Sequence, residues 1–165
     1  MPGNNYDVDE QSIAALGVKL IAGRPFEAQE ILPASETFET SPQAIVTQAF
    51  AKELFPKETN LIGKTFYDGL SKPITIVGVM EHMQGAWVGW DKLDHIVLFP
   101  RIKSGPTAIY LVRTEPGRRD AVMRDIEAKL GNSNPGACCA GSGRSTTSST
   151  SHTSTTATWR SSWSA

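Results

Sequence analysis

Within fifteen residues, Glu81, His82, Asp91, Asp94 and His95 supply two imidazoles and three carboxylates, the side-chain types that zinc takes as ligands. Their spacing contains no His-x-x-x-His or Cys-x-x-Cys element, so they read as polar residues flanking a loop between strands, with a metal-dependent hydrolase as the sharper alternative. Asp7, Asp9 and Glu10 form a second acidic group that could share a proton. An acidic run ahead of a helix is also what a helix N-terminus favours. Residues 1–130 carry two histidines and no cysteine. They also lack the Gly-x-Ser-x-Gly elbow that exposes a nucleophilic serine and the Gly-rich loops that cradle phosphates. No catalytic residue, cofactor or metal ligand is expected. The remaining candidate is Gly85-Ala86-Trp87-Val88-Gly89-Trp90, where Trp87 and Trp90 sit in a glycine-bracketed loop and can anchor a partner protein or lipid. The alternative is that both rings cap the domain's own core.

Composition narrows the partners. A formal charge of −1 over 165 residues provides no basic field for a phosphate backbone, so nucleic acid is not expected. The longest apolar run, Ile76-Val77-Gly78-Val79-Met80, is far short of the roughly 20 residues a membrane helix needs. The start of the chain shows no basic region followed by an apolar one, the signature of a signal peptide.

The elements that must position these groups follow from periodicity and turn residues. Ser12 is expected to cap a short helix to Leu16, with Gly17 closing it and a strand over 18–22 following. Gly23-Arg24-Pro25 turns the chain, and 27–42 is expected to be loop. Ala44-Ile45-Val46 is a strand leading to Thr47, a cap for a helix from Gln48 to Phe55 with Phe50 and Leu54 on one face. Residues 61–67 and 74–80 form a hairpin around Asp68-Gly69, and Ile96–Phe99 and Ala108–Val112 are two more strands expected in the same sheet. A helix from Arg118 to Leu130 presents Val122, Met123, Ile126 and Leu130 as its apolar stripe. The class is α+β, a mixed β-sheet with two or three helices packed on one side of it and a disordered C-terminal tail.

That tail is compositionally separate. Residues 132–165 contain ten Ser and seven Thr and no Leu, Ile, Val, Phe, Tyr, Met, Asp, Glu or Lys. Such a stretch buries too little apolar surface to offset about 1–2 kcal/mol per residue of backbone ordering. The chain therefore divides into a body, 1–130, and a low-complexity tail, 131–165, read as an out-of-frame end or, alternatively, a natural Ser/Thr linker. Cys138 and Cys139 belong to the tail and carry no redox reading.

Four stretches in order, Ala15-Leu16-Gly17 through Gly23-Arg24-Pro25-Phe26, Ala44-Ile45-Val46-Thr47 through Leu54-Phe55-Pro56, Leu61-Ile62-Gly63-Lys64, and Ile76-Val77-Gly78-Val79, give the chain its resemblance. It resembles the MacB-like periplasmic core domain of ABC transporter permeases, within the FtsX-like permease group, over roughly residues 6–130. Thr47 stands where that pattern has Asn. The resemblance implies a truncated piece of a permease's extracytoplasmic domain on the periplasmic side of the bacterial inner membrane. The intact permease would engage an ABC ATPase subunit only through transmembrane helices, which this sequence lacks. A periplasmic adaptor or a second permease copy is the implied partner, and the domain is implied to be a docking and coupling module for ATP-driven export. A free extracytoplasmic sensor or ligand-binding domain is the alternative.

Overall fold

The computed structural model describes residues 3–34, 41–85, 92–103, 107–133, 137–145 and 154–161. The chain divides into two compact units, Met1–Lys103 and Ser104–Ala165. The first is built on a seven-stranded sheet of β1 (Asn4–Val8), β2 (Leu20–Gly23), β3 (Leu32–Ala34), β4 (Gln43–Thr47), β5 (Thr65–Tyr67), β6 (Pro73–Met80) and β7 (Ile96–Lys103). Its main path runs β1-β7-β4-β6-β2, with β3 also on β7 and β5 on β6. The pairs β1/β7, β3/β7 and β4/β6 are parallel, whereas β4/β7, β2/β6 and β5/β6 are antiparallel, so the sheet is mixed.

The central strands are apolar at nearly every position because both faces are covered. Ala44 and Val46 of β4 with Val97 and Phe99 of β7 enter one core, together with Phe50 and Ala51 of α2 (Gln48–Leu54), Phe66, Ile74, Ile76 and Val79. Ile45, Ile96, Leu98 and Met80 face the other way onto Phe26, with Ile13 and Leu16 of α1 (Ser12–Leu16) packed against them. Each strand thus feeds alternate residues to opposite clusters. The two helices sit in opposite clusters, so they cover both faces of the sheet and not one side, as sequence order alone suggests.

Local chemistry explains the other departures. Ser12 lies inside α1 with its side chain buried, and Gln11 takes the N-cap position without a side-chain cap. Gly17 closes α1 in the left-handed region, φ 67°, donating back to Ile13 and Ala14. In α2 the buried face is Phe50 and Ala51, while Leu54 is exposed. Residues 27–42 are not all loop: Ala28–Glu30 makes a 3-10 turn and β3 follows it. Asn4–Val8 is strand, although its polar residues conceal it.

In the second unit, β8 (Thr107–Arg113) and α3 (Arg119–Ser133) are joined by β9 (Ala137–Ser145) and β10 (Ser154–Ser161). These strands form their own sheet, ordered β8-β10-β9, so β8 does not share a sheet with β7. β9 and β10 come from the Ser/Thr-rich stretch that composition leaves without a core, and main-chain hydrogen bonds can pair such backbones without apolar side chains. On α3, Val122, Met123, Ile126 and Leu130 are half-buried, as the stripe predicts.

Candidate functional site: the 81–95 loop

The loop joining β6 to β7 holds most of the chemically capable residues, and its two ends are closed by a bond from Gly85 N–H to Leu93 C=O at 2.7 Å. Trp87, Trp90 and Asp91 lie outside the described residues, so the structure gives no placement for the proposed aromatic anchor.

The base beneath them is fixed from three directions. From β1, the Asn4 N–H donates to the His95 carbonyl at 2.8 Å. From the end of β4, the Thr47 hydroxyl donates to the Asp94 carbonyl at 2.5 Å and accepts from the Ile96 N–H at 3.1 Å. Thr47 is buried, and it makes no side-chain cap on α2. The strand needs its hydroxyl more than the helix does, because β7 begins there with main-chain groups that water cannot reach. From α2, Glu53 Oε2 lies 2.7 Å from His95 Nε2, and its other oxygen pairs with Lys92.

His95 therefore bridges two carboxylates, since its Nδ1 is 2.8 Å from Asp94 Oδ1. A neutral imidazole owns one N–H and donates to one carboxylate at a time, whereas the doubly protonated ring donates to both. The ring is mostly buried and meets Phe50 edge-on, with centroids 6.4 Å apart. The hydrogen bond from Lys92 holds the Glu53 carboxyl below the ordinary glutamate range.

The residues weighed as alternative metal ligands, where described, do not converge. Glu81 pairs with Lys19 at 3.4 Å and His82 is exposed, while Asp94 and Glu53 take opposite sides of the His95 ring. Among the described residues no group of three or more His, Cys, Asp or Glu side chains could hold a metal ion. Asp7 belongs to β1 and faces Arg101 of β7, which donates to its Oδ1 from Nε at 2.8 Å and from a terminal nitrogen at 2.5 Å. That carboxylate ties two parallel strands and does not serve a helix N-terminus. Asp9 Oδ1 accepts from the Gln11 N–H at 3.1 Å. An open apolar groove of about 400 Å³ runs past Gly23, Ile62, Gly63 and the middle of β6.

Sequence reasoning missed Glu53 and Asn4 as parts of the loop base. Glu53 looks like one more solvent-facing charge on α2, and only the fold brings it to His95. No helix among the described residues is long and apolar enough to cross a membrane. A family model described as MacB-like periplasmic core domain matches residues 3–129, and no curated protein matches the chain.

Proposed function

Because the chain belongs to the MacB-like periplasmic core domain family, matched over residues 3–129, we propose that it serves as the extracytoplasmic body of an ABC-type permease of the FtsX-like group. In this role it docks and couples without making or breaking covalent bonds. The family match carries this reading, and it spans nearly all of the expected body, residues 1–130. The physical support is a sheet whose central strands are buried on both faces, so that a push at one edge moves it as a unit. Trp87 and Trp90, in the segment between the two ends of the closed base of the 81–95 loop, are the contact for a periplasmic adaptor or a second permease copy. ATP hydrolysis belongs to a separate cytoplasmic subunit, reached through the permease's membrane helices. The body then works at the periplasmic face.

The test places the photoreactive residue p-benzoylphenylalanine at position 90 of the full chain, in the cells that make it. Irradiation should join the chain to an envelope protein. Trp87→Ala with Trp90→Ala should leave the unfolding midpoint of the purified chain in place, whereas loss of several kcal/mol would make the two rings core. Turnover of ATP by the purified chain, or hydrolysis lost on replacing His82 and His95, would overturn the non-catalytic reading.

A further inference from the structure

Beyond Ala51 the last turn of α2 leaves the core, with Lys52, Glu53 and Leu54 exposed, and the Glu53 carboxylate reaches across to the 92–95 turn that enters β7. There it meets two cations of different kind. Its Oε1 pairs with the Lys92 ammonium, and its Oε2 lies 2.7 Å from His95 Nε2. Of the two, only an imidazole is a type of group that ordinarily exchanges its proton between about pH 5 and 8. The other ring nitrogen, Nδ1, lies 2.8 Å from Asp94 Oδ1, so carboxylates from two elements grip one ring. The His95 side chain is 14% exposed, against 40% for Glu53 and 42% for Asp94, so the donor sits inside and its acceptors lie at the rim. The other described elements packed here bring groups that do not titrate. Phe50 of α2 meets the ring edge-on, β1 gives the Asn4 N–H to the His95 carbonyl, and β4 gives the Thr47 hydroxyl to the Asp94 carbonyl.

From this we propose that His95 is a proton-operated clasp between α2 and the entrance of β7: the doubly protonated ring donates to Glu53 and Asp94 together, and loss of one proton releases Glu53. The inference concerns the fold alone and stands apart from the docking reading above. With two ring protons, both short contacts are charge-assisted bonds from N–H to carboxylate. With one, a bare nitrogen turns its lone pair on a carboxylate oxygen, and that contact parts. Asp94 adjoins His95 in the chain and has little room to retreat. Glu53 belongs to another element and keeps Lys92 as a second partner, so the Glu53 arm is the one that opens. The clasp is therefore closed at the acid end of the histidine range and opens as pH rises through it. The hydrogen bond from Lys92 holds the Glu53 carboxyl below the ordinary glutamate range, which keeps the acceptor ionised at the acid end. The Thr47 bonds to the Asp94 carbonyl and the Ile96 N–H contain no titrating group, so the turn keeps its backbone and only its link to α2 is switched.

Amide exchange of the purified full chain is followed from about pH 5 to about pH 8, each rate being divided by the intrinsic rate at that pH. Protection at Glu53, Leu54 and Phe55 should fall about three- to fivefold as pH rises, a modest change because both carboxylates are partly exposed. Ile96, held by Thr47, should keep its protection throughout. His95→Gln should abolish the pH dependence at 53–55. Glu53→Gln, a change on an exposed side chain that leaves the fold intact, should shrink it, and this variant carries the test if His95→Gln does not fold. In nitrogen-15 spectra of the wild-type chain, the ring whose signals vanish in His95→Gln should carry two N–H protons at the acid end and one at the alkaline end. Protection at 53–55 that is indifferent to pH would overturn the clasp, as would a pH dependence that survives either substitution undiminished. An equal fall at Ile96 would also overturn it, since the whole region would then be loosening and not one link.

Discussion

Two connections leave the same sheet and are held by opposite means. The 67–72 turn is closed by its own atoms, since every bond that shapes it spans four residues or fewer. The base of the 81–95 loop is closed by strangers: Thr47 lies 47 residues from Asp94, and Glu53 lies 39 from Lys92. A locally closed turn keeps its shape when distant packing loosens, whereas a base held by distant residues opens with whichever element leaves first.

The largest expected effect comes from the residue that touches both. Phe50 packs edge-on against Phe66 behind the turn and against His95 at the loop base. Phe50→Ala should cost about 3–5 kcal/mol in urea unfolding, as for other buried aromatics. Amide exchange should accelerate in both regions, and a change confined to one would show that Phe50 does not join them. Thr47→Val separates the two. It keeps the shape of the side chain but strands a buried Ile96 N–H and the Asp94 carbonyl, at a cost of about 1–3 kcal/mol. Exchange should rise over residues 92–96 and stay unchanged over 65–75; equal loosening of both would dissolve the distinction.

The same contrast governs what the amino-acid order makes legible. The hairpin could be read directly, because Asp68-Gly69 between β-forming runs specifies a turn with only neighbouring residues. The resemblance was legible too, from segments such as Gly23-Arg24-Pro25-Phe26 that keep their order. The loop base was not. Thr47 has the residue type of a helix cap, and only the approach of β7 reveals that its hydroxyl is committed to Asp94 and Ile96. Asn4–Val8 alternates too briefly to announce a strand, and Asp7 acquires meaning from Arg101, 94 residues away. β8 looks like β7 in composition, so its membership of another sheet is a tertiary fact that periodicity does not encode.

Asp68→Ala tests the locally closed member. It removes the acceptor for two main-chain N–H groups that water can still reach, so the cost should be about 1 kcal/mol. Exchange should rise at Leu70 and Lys72 while the loop base stays protected. If Leu93 and Gly85 loosen as well, the turn is not an independent unit.

The smallest effect belongs to a third tie, local like the turn but made of charge like the loop base. Arg24 grips Glu30 with both terminal nitrogens, at 2.7 and 2.5 Å, and the Glu27 N–H adds a bond of 2.9 Å to the same carboxylate. The hydrogen bonds from Arg24 hold the Glu30 carboxyl down to about 2, against an ordinary value of 4.5. The unfolded chain therefore takes up this proton first as pH falls. The tie's contribution is complete above pH 4.5 and is lost on descent towards about 2. The Arg24 side chain is 44% exposed, so screening keeps the contribution to about 1 kcal/mol or less. The measurement is the difference in unfolding free energy between the wild-type chain and Arg24→Gln across that window. The difference should shrink as pH falls through it and should shrink further in high salt. A difference that is flat there, or that changes only above pH 5, would mean that the main-chain bond from Glu27 holds this carboxylate without help from the arginine.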